Sequence, residues 1–187
     1  MLSSVTETLL MGPGPSLVSS TVREAMALPT IGHLDPRFIS IMDEVKEMLR
    51  QVFGTNNELT MPLSGTGSSG MEASFANFTE PGDRILVLVN GVFGKRMMEV
   101  ATRVGAHATA LEFDWGTPVD VAAAGAEIGR GYDLVAVVHA ETSTGVRNPV
   151  EELAPLVEAS GALFVVDTVT SLGGLPVSVD GWKADVV

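Results

Sequence analysis

Apolar residues in this chain gather in short runs separated by amphipathic stretches. Residues 85–89 (ILVLV), 134–138 (LVAVV) and 163–166 (LFVV) are near-continuous and rich in β-branched side chains. Such runs suit strands covered on both faces, as in parallel sheets. Residues 59–63 and 108–113 are weaker strand candidates, the first interrupted by Pro62. Helical patterns span residues 36–53, 68–78, 93–104, 119–128 and 150–159. Asp35 and Pro36 fit the N-cap and first position of the first helix, and Gly54 and Gly105 fit helix stops. This strand–helix alternation with short connections predicts a three-layer α/β/α domain on a mostly parallel sheet. Residues 182–187 (WKADVV) read as the start of another buried strand, so the chain is expected to be a fragment.

Composition narrows the class. The 187 residues carry 11 Lys and Arg against 23 Asp and Glu, a formal net charge of −12. That balance argues against nucleic acid as a partner, because binding it needs cations to displace phosphate counterions. There is no cysteine, hence no disulfide framework, thiolate metal site or cysteine nucleophile. Residues 1–11 lack the cationic start and apolar stretch of a signal peptide, and no run approaches the roughly 18 apolar residues of a membrane helix. A soluble, cytoplasmic protein with no membrane partner is expected.

Candidate chemistry collects at strand ends, where open parallel sheets bind ligands. The segments 64–70 (SGTGSSG), 90–94 (NGVFG), 139–145 (HAETSTG) and 167–171 (DTVTS) each follow an expected strand. Segment 64–70 precedes a helix, so its N–H groups, with the Thr66 and Ser68 hydroxyls, could hold an anion. The helix N-terminus would add roughly 0.3–2 kcal/mol. The same segment also reads as an ordinary glycine-rich turn with Ser68 as N-cap. Gly65, Gly67 and Gly70 match the dinucleotide fingerprint, but the next strand ends in Asn90 where that motif needs an acid. A nicotinamide-dependent dehydrogenase is therefore one alternative, and it would place residues 59–63 beside residues 85–89.

Asp167 ends an apolar strand, where a carboxylate is costly without a donor or cation. It could cap the following turn or pair with a protonated heteroaromatic nitrogen. Phe93 could be core, or offer a flat face to a planar ligand. His33, His107 and His139 show no metal-ligand spacing. His107 suits a strand edge, and His139 with Glu141 suits a hydrogen-bonded support. Asp43/Glu44 and Glu151/Glu152 read as solvated helix faces. No G-x-S-x-G elbow anchors a hydrolase triad.

Residues 12–15 (GPGP), 31–33 (IGH), SGTGSSGMEA from Ser64, NGVFG from Asn90, HAETSTG from His139 and VDTVTSLGG from Val166 occur in order. In combination they resemble the class V pyridoxal-phosphate-dependent aminotransferases, with alanine–glyoxylate and serine–glyoxylate aminotransferases as the nearest branch. The resemblance implies the large cofactor-binding domain of a fold-type I transferase over residues 21–187, preceded by an N-terminal segment over residues 1–20. It implies pyridoxal 5'-phosphate as cofactor and amino transfer from alanine or serine to glyoxylate or a related 2-oxo acid. It further implies a homodimer.

Residue by residue, it puts Thr66, Gly67 and Ser68 on the cofactor phosphate and Phe93 on its ring. Thr142 falls near the phenolic oxygen, Asp167 on the pyridine nitrogen and Val169 against the ring. Gly14, in the GPGP segment, and His33 fall on the substrate side. The Schiff-base lysine of the family follows the strand begun at residue 185; Lys46, Lys95 and Lys183 do not match it. The arginine that binds substrate carboxylate belongs to the family's C-terminal domain, also outside the chain. The chain alone is therefore expected to be inactive, and a non-catalytic fragment keeping half of the cofactor site is a further alternative. In the family's sheet an antiparallel strand separates residues 59–63 from the other strands, so here they would lack a neighbour.

Overall fold

The computed structural model describes residues 8–187, which divide into two units, one ending at Glu44 and one running from Val45 to Val187. In the first unit, α1 (Ser20–Met26) is capped by Ser19, whose hydroxyl accepts from the Val22 N–H at 3.4 Å. The hydrophobic pattern gives no sign of α1, because none of its residues is buried. Helix α2 (Pro36–Phe53) begins as expected, with Asp35 accepting from the Arg37 N–H at 2.9 Å. It continues into the second unit.

The second unit comprises α3 (Gly67–Phe78), β1 (Arg84–Val89), α4 (Val92–Arg103), β2 (His107–Glu112), α5 (Val121–Ile128) and β3 (Leu134–Val138). A two-strand antiparallel hairpin follows, β4 (Ala140–Glu141) and β5 (Val146–Arg147), then α6 (Val150–Ser160), β6 (Leu163–Asp167) and α7 (Val179–Trp182). The main sheet has four strands in the order β2-β1-β3-β6, all parallel. Alternation along β1 sends Leu86 and Leu88 into a core with Ile128 of α5 and Leu153 and Val157 of α6. It sends Ile85, Val87 and Val89 into a second core with Met71 and Phe75 of α3 and Met97 and Val100 of α4. The expected three-layer α/β/α architecture is thus present. Burying each such large side chain contributes roughly 1.5–3 kcal/mol.

Several expectations need correction. Residues 59–63 form no strand. Pro62 lacks a donor, and side chains already occupy the backbone just before it: Arg50 Nε donates to the Asn57 carbonyl at 3.0 Å, and Leu59 N donates to Asn57 Oδ1 at 3.0 Å. Strand β1 is flanked by β2 and β3, so the dinucleotide unit that would set residues 59–63 beside it is absent from the sheet. Helix α5 starts at Val121 rather than 119, because the Asp120 side chain caps it, accepting from Ala123 N at 2.8 Å. Residues near the C-terminus do extend the sheet: Val186 bridges Val165 in parallel and accepts from Val166 N at 2.9 Å.

Candidate active site

The sheet delivers its chemistry at the carboxyl ends of β1, β3 and β6, beside the N-terminus of α3. Thr66, not Ser68, caps α3: Ser69 N donates to Thr66 Oγ1 at 3.2 Å, and Thr66 N donates to Ser69 Oγ at 2.8 Å. This reciprocal capping box settles two early donors. Ser69 Oγ spends its own proton on the Thr66 carbonyl at 2.7 Å. Among the described residues, the N–H groups of Gly67 and Ser68 and the Ser68 hydroxyl take no partner. They are left for an anion, with the helix dipole behind them. Gly67 has a packing reason as well, since a Cβ there would come within 3.2 Å of Val169 Cγ2.

Asp167 ends β6 and is largely buried. Its Oδ1 accepts from Val169 N at 2.9 Å, and its other oxygen has no partner among the described residues. The turn-capping reading of this acid is borne out, with one oxygen on the Val169 N–H and the other without a partner among the described residues. Burial pushes the carboxyl above its ordinary range; the Val169 N–H opposes that rise and the negative charge of Glu141 adds to it. An acid kept in this state gains from a positively charged partner.

His139 and Glu141 are support, as expected. His139 is fully buried, with Nδ1 2.9 Å from Ser171 Oγ, Nε2 accepting from Arg147 Nε at 3.3 Å, and the Trp182 ring edge-on at 4.9 Å. Burial lowers its pKa, as does the Arg147 charge, while Glu151 opposes. His107 lies on the edge strand β2 and is exposed. No metal-ligand cluster occurs among the described residues.

A cavity of about 210 Å³ joins the two ends. It is lined by Thr66, Gly67 and Ser68 from the start of α3, Phe93 from α4, Thr142 from the hairpin turn, and Asp167 and Val169 after β6. The seven residues that the resemblance puts on the cofactor share that one space. Met71, Val138 and Thr170 also line it and were not anticipated. Thr170 carried a usable signal, since it lies three positions after Asp167; its hydroxyl is hydrogen-bonded to that of Thr142. None of the three lysines lines the cavity; Lys95 sits over the Trp115 ring at 5.3 Å and Lys183 pairs with Glu158 at 3.4 Å. Gly14 and His33 belong to the first unit, where both are exposed.

The parallel sheet thus sets a helix N-terminus with unpartnered donors and a largely buried acid on one cavity, with Phe93 and Val169 also lining it. Comparison with known proteins gives the class its name. The profile of the aminotransferase class-V family matches residues 19–187, and the chain belongs to that family. The family and its solved members are pyridoxal-phosphate-dependent.

Similar proteins include the (S)-ureidoglycine–glyoxylate transaminase of Bacillus subtilis, 41% identical over 177 residues, which cover 94% of this chain and 42% of that protein. The alanine–glyoxylate aminotransferase of Drosophila melanogaster is 40% identical over 95% of this chain and 45% of its own length. The crystal structure of an alanine–glyoxylate aminotransferase from Nostoc superposes with a TM-score of 0.94 at 44% identity, covering 97% of this chain and 48% of that one. The chain thus spans about half the length of the relatives it matches.

Proposed function

We propose that residues 21–187 are part of the large cofactor-binding domain of an aminotransferase that passes an amino group from alanine or serine to glyoxylate or a related 2-oxo acid. The observation that carries this reading is a cavity lined both by a helix N-terminus with unpartnered donors and by a largely buried acid, one of whose oxygens has no partner among the described residues. The Bacillus, Drosophila and Nostoc relatives described above are all named for glyoxylate.

The cavity suits pyridoxal 5'-phosphate on three counts. Gly67 and Ser68 would hold the phosphate through N–H groups that have no other use, with Thr66 shaping the turn. Asp167 would hold a proton on the ring nitrogen, a pairing that offsets the cost of its own burial. Phe93 and Val169 would press on the ring faces, while Thr142, oriented by Thr170, would donate to the ring's phenolic oxygen. When bound, the cofactor supplies an electron sink for the carbanion left by loss of the substrate α-proton. The resemblance to the family supports assembly into a homodimer, which a solution mass measurement tests.

The decisive experiment is a titration of the chain with pyridoxal 5'-phosphate, followed by induced circular dichroism in the cofactor band. Saturable binding that Asp167→Ala weakens at least about tenfold is expected, the charge-assisted hydrogen bond being lost. A wild-type chain that gives no induced signal overturns the reading. The choice of substrates is read from a chimera in which these residues replace the matching part of the Bacillus transaminase. That chimera should use glyoxylate as acceptor with alanine or serine as donor.

A further inference from the structure

Helix α4 begins without a cap of its own. Its N-cap is Gly91, which offers no side chain. The first three helical N–H groups are met instead by the hairpin turn about 50 residues later. Val92 N donates to Ser143 Oγ at 3.0 Å, and Phe93 N and Gly94 N donate to Glu141 Oε2 at 3.2 and 3.3 Å. Ser143 donates to the other carboxylate oxygen, from N at 3.2 Å and from Oγ at 2.7 Å. Glu141 is 1% exposed, and its contacts with Phe93, Gly94 and Ser143 all ask its carboxylate to accept. A Cβ on residue 91 would come within 2.3 Å of Glu141 Cγ and 2.6 Å of Ser143 Oγ, so the close approach depends on glycine.

The consequence falls on the cavity. Phe93, held through its own N–H, and Thr142, flanked by Glu141 and Ser143, line it from two different elements. We propose that Glu141 is a positioning residue for the cofactor ring: by capping α4 from a distance it fixes the Phe93 face and the Thr142 hydroxyl in one register. This rests on the pyridoxal-phosphate reading above. Glu141 touches neither the phosphate cup nor the free oxygen of Asp167, although its charge does act on Asp167. Its loss should therefore disturb the ring and spare the phosphate.

The test uses the whole chain, with pyridoxal 5'-phosphate and inorganic phosphate as separate probes. In Glu141→Gln an amide nitrogen faces N–H donors, so about tenfold weaker binding of pyridoxal 5'-phosphate is expected, with a diminished induced signal per bound ring. Inorganic phosphate should bind as it does to wild type. Ser143→Ala, which removes the Val92 acceptor and one donor to Glu141 but leaves the carboxylate on Phe93 N and Gly94 N, should shift the cofactor in the same direction by a smaller factor, and it decides the matter if Glu141→Gln fails to fold. Unchanged cofactor affinity and induced signal in the variants overturn the proposal. An equal loss of phosphate and cofactor overturns it too, because that marks a general loosening of the fold. A wild-type chain that binds phosphate but gives no ring signal overturns the cofactor reading, and the positioning role with it.

Discussion

Asn90 and Asn148 are buried side by side and exchange amide hydrogen bonds, Asn90 Nδ2 to Asn148 Oδ1 at 2.8 Å and Asn148 Nδ2 to Asn90 Oδ1 at 3.1 Å. Asn148 also accepts from Val119 N at 3.0 Å and donates to the Val138 carbonyl at 2.8 Å, and Asn90 donates to the Thr117 carbonyl at 2.9 Å. The pair stitches the end of β1 to the end of β3 and to the segment before α5. Asn90 stands where a dinucleotide site would need an acid, and it is occupied in holding the scaffold.

Asn148→Ala should therefore cost about 3–5 kcal/mol, because it strands several buried partners that each carry a penalty of about 1–3 kcal/mol. Urea unfolding measures this. A loss below about 1 kcal/mol would mean that water or a rearranged Asn90 replaces the amide.

Adjacent serines at the start of α3 should separate stability from binding. Ser69→Ala breaks the capping box and should cost about 0.5–2 kcal/mol of stability. Ser68→Ala removes a hydroxyl with no partner among the described residues, so stability should hold within about 0.5 kcal/mol while pyridoxal-phosphate affinity drops about tenfold. Thermal melts and cofactor titrations of the two variants should give opposite patterns. Equal effects would contradict the division of labour between these two side chains.

Asp167 should make the cofactor-free chain less stable as pH rises. Its folded-state pKa lies above the ordinary 3.8, so the folded state holds the proton longer than the unfolded state does. Stability from this group is present below 3.8 and is lost as pH climbs through the raised value. Asp167→Asn should remove that slope and melt higher at neutral pH without cofactor, yet bind the cofactor more weakly. Melting curves from pH 4 upward, with and without pyridoxal 5'-phosphate, test both halves.

Acid should act through two other groups. His139 is held below its ordinary 6.5 by burial and the Arg147 charge, so its contribution is full above 6.5 and is lost as pH falls through the depressed value. Asp180 is held below its ordinary 3.8 by hydrogen bonds from Thr55 Oγ1 and Asn56 N, so its contribution is full above 3.8 and disappears at lower pH. His139→Gln should flatten the first decline in melting temperature, and Asp180→Asn only the second. The same profile in both variants would sink the assignment.

Much of this molecule was legible in its residues, and what was missed has physical reasons. The three apolar runs became β1, β3 and β6 because burial on both faces leaves a continuous signature. Strand ends and helix starts are fixed points of such a sheet and mark the segments that line the cavity, while Thr142 and Val169 within them were indicated only by the resemblance to class V aminotransferases. Residues 59–63 misled because a short apolar run needs a partner strand, which local sequence does not reveal. Residue types alone make Thr66 and Ser68 both candidate anion donors, with Ser68 as cap the alternative, whereas the Ser69 side chain three positions on makes Thr66 the cap. The remote cap on α4 was illegible because its donors and acceptors are nearly 50 residues apart; the glycine at position 91 was its one local trace.

The alternation along β1 has an evolutionary corollary. Leu86 and Val87 are neighbours in the chain but answer to different helices, and the cavity shares Met71 and Val138 with the layer that contains Val87. Mutations that redraw the pocket wall can thus accumulate on the α3–α4 side while the α5–α6 side goes on holding the sheet together.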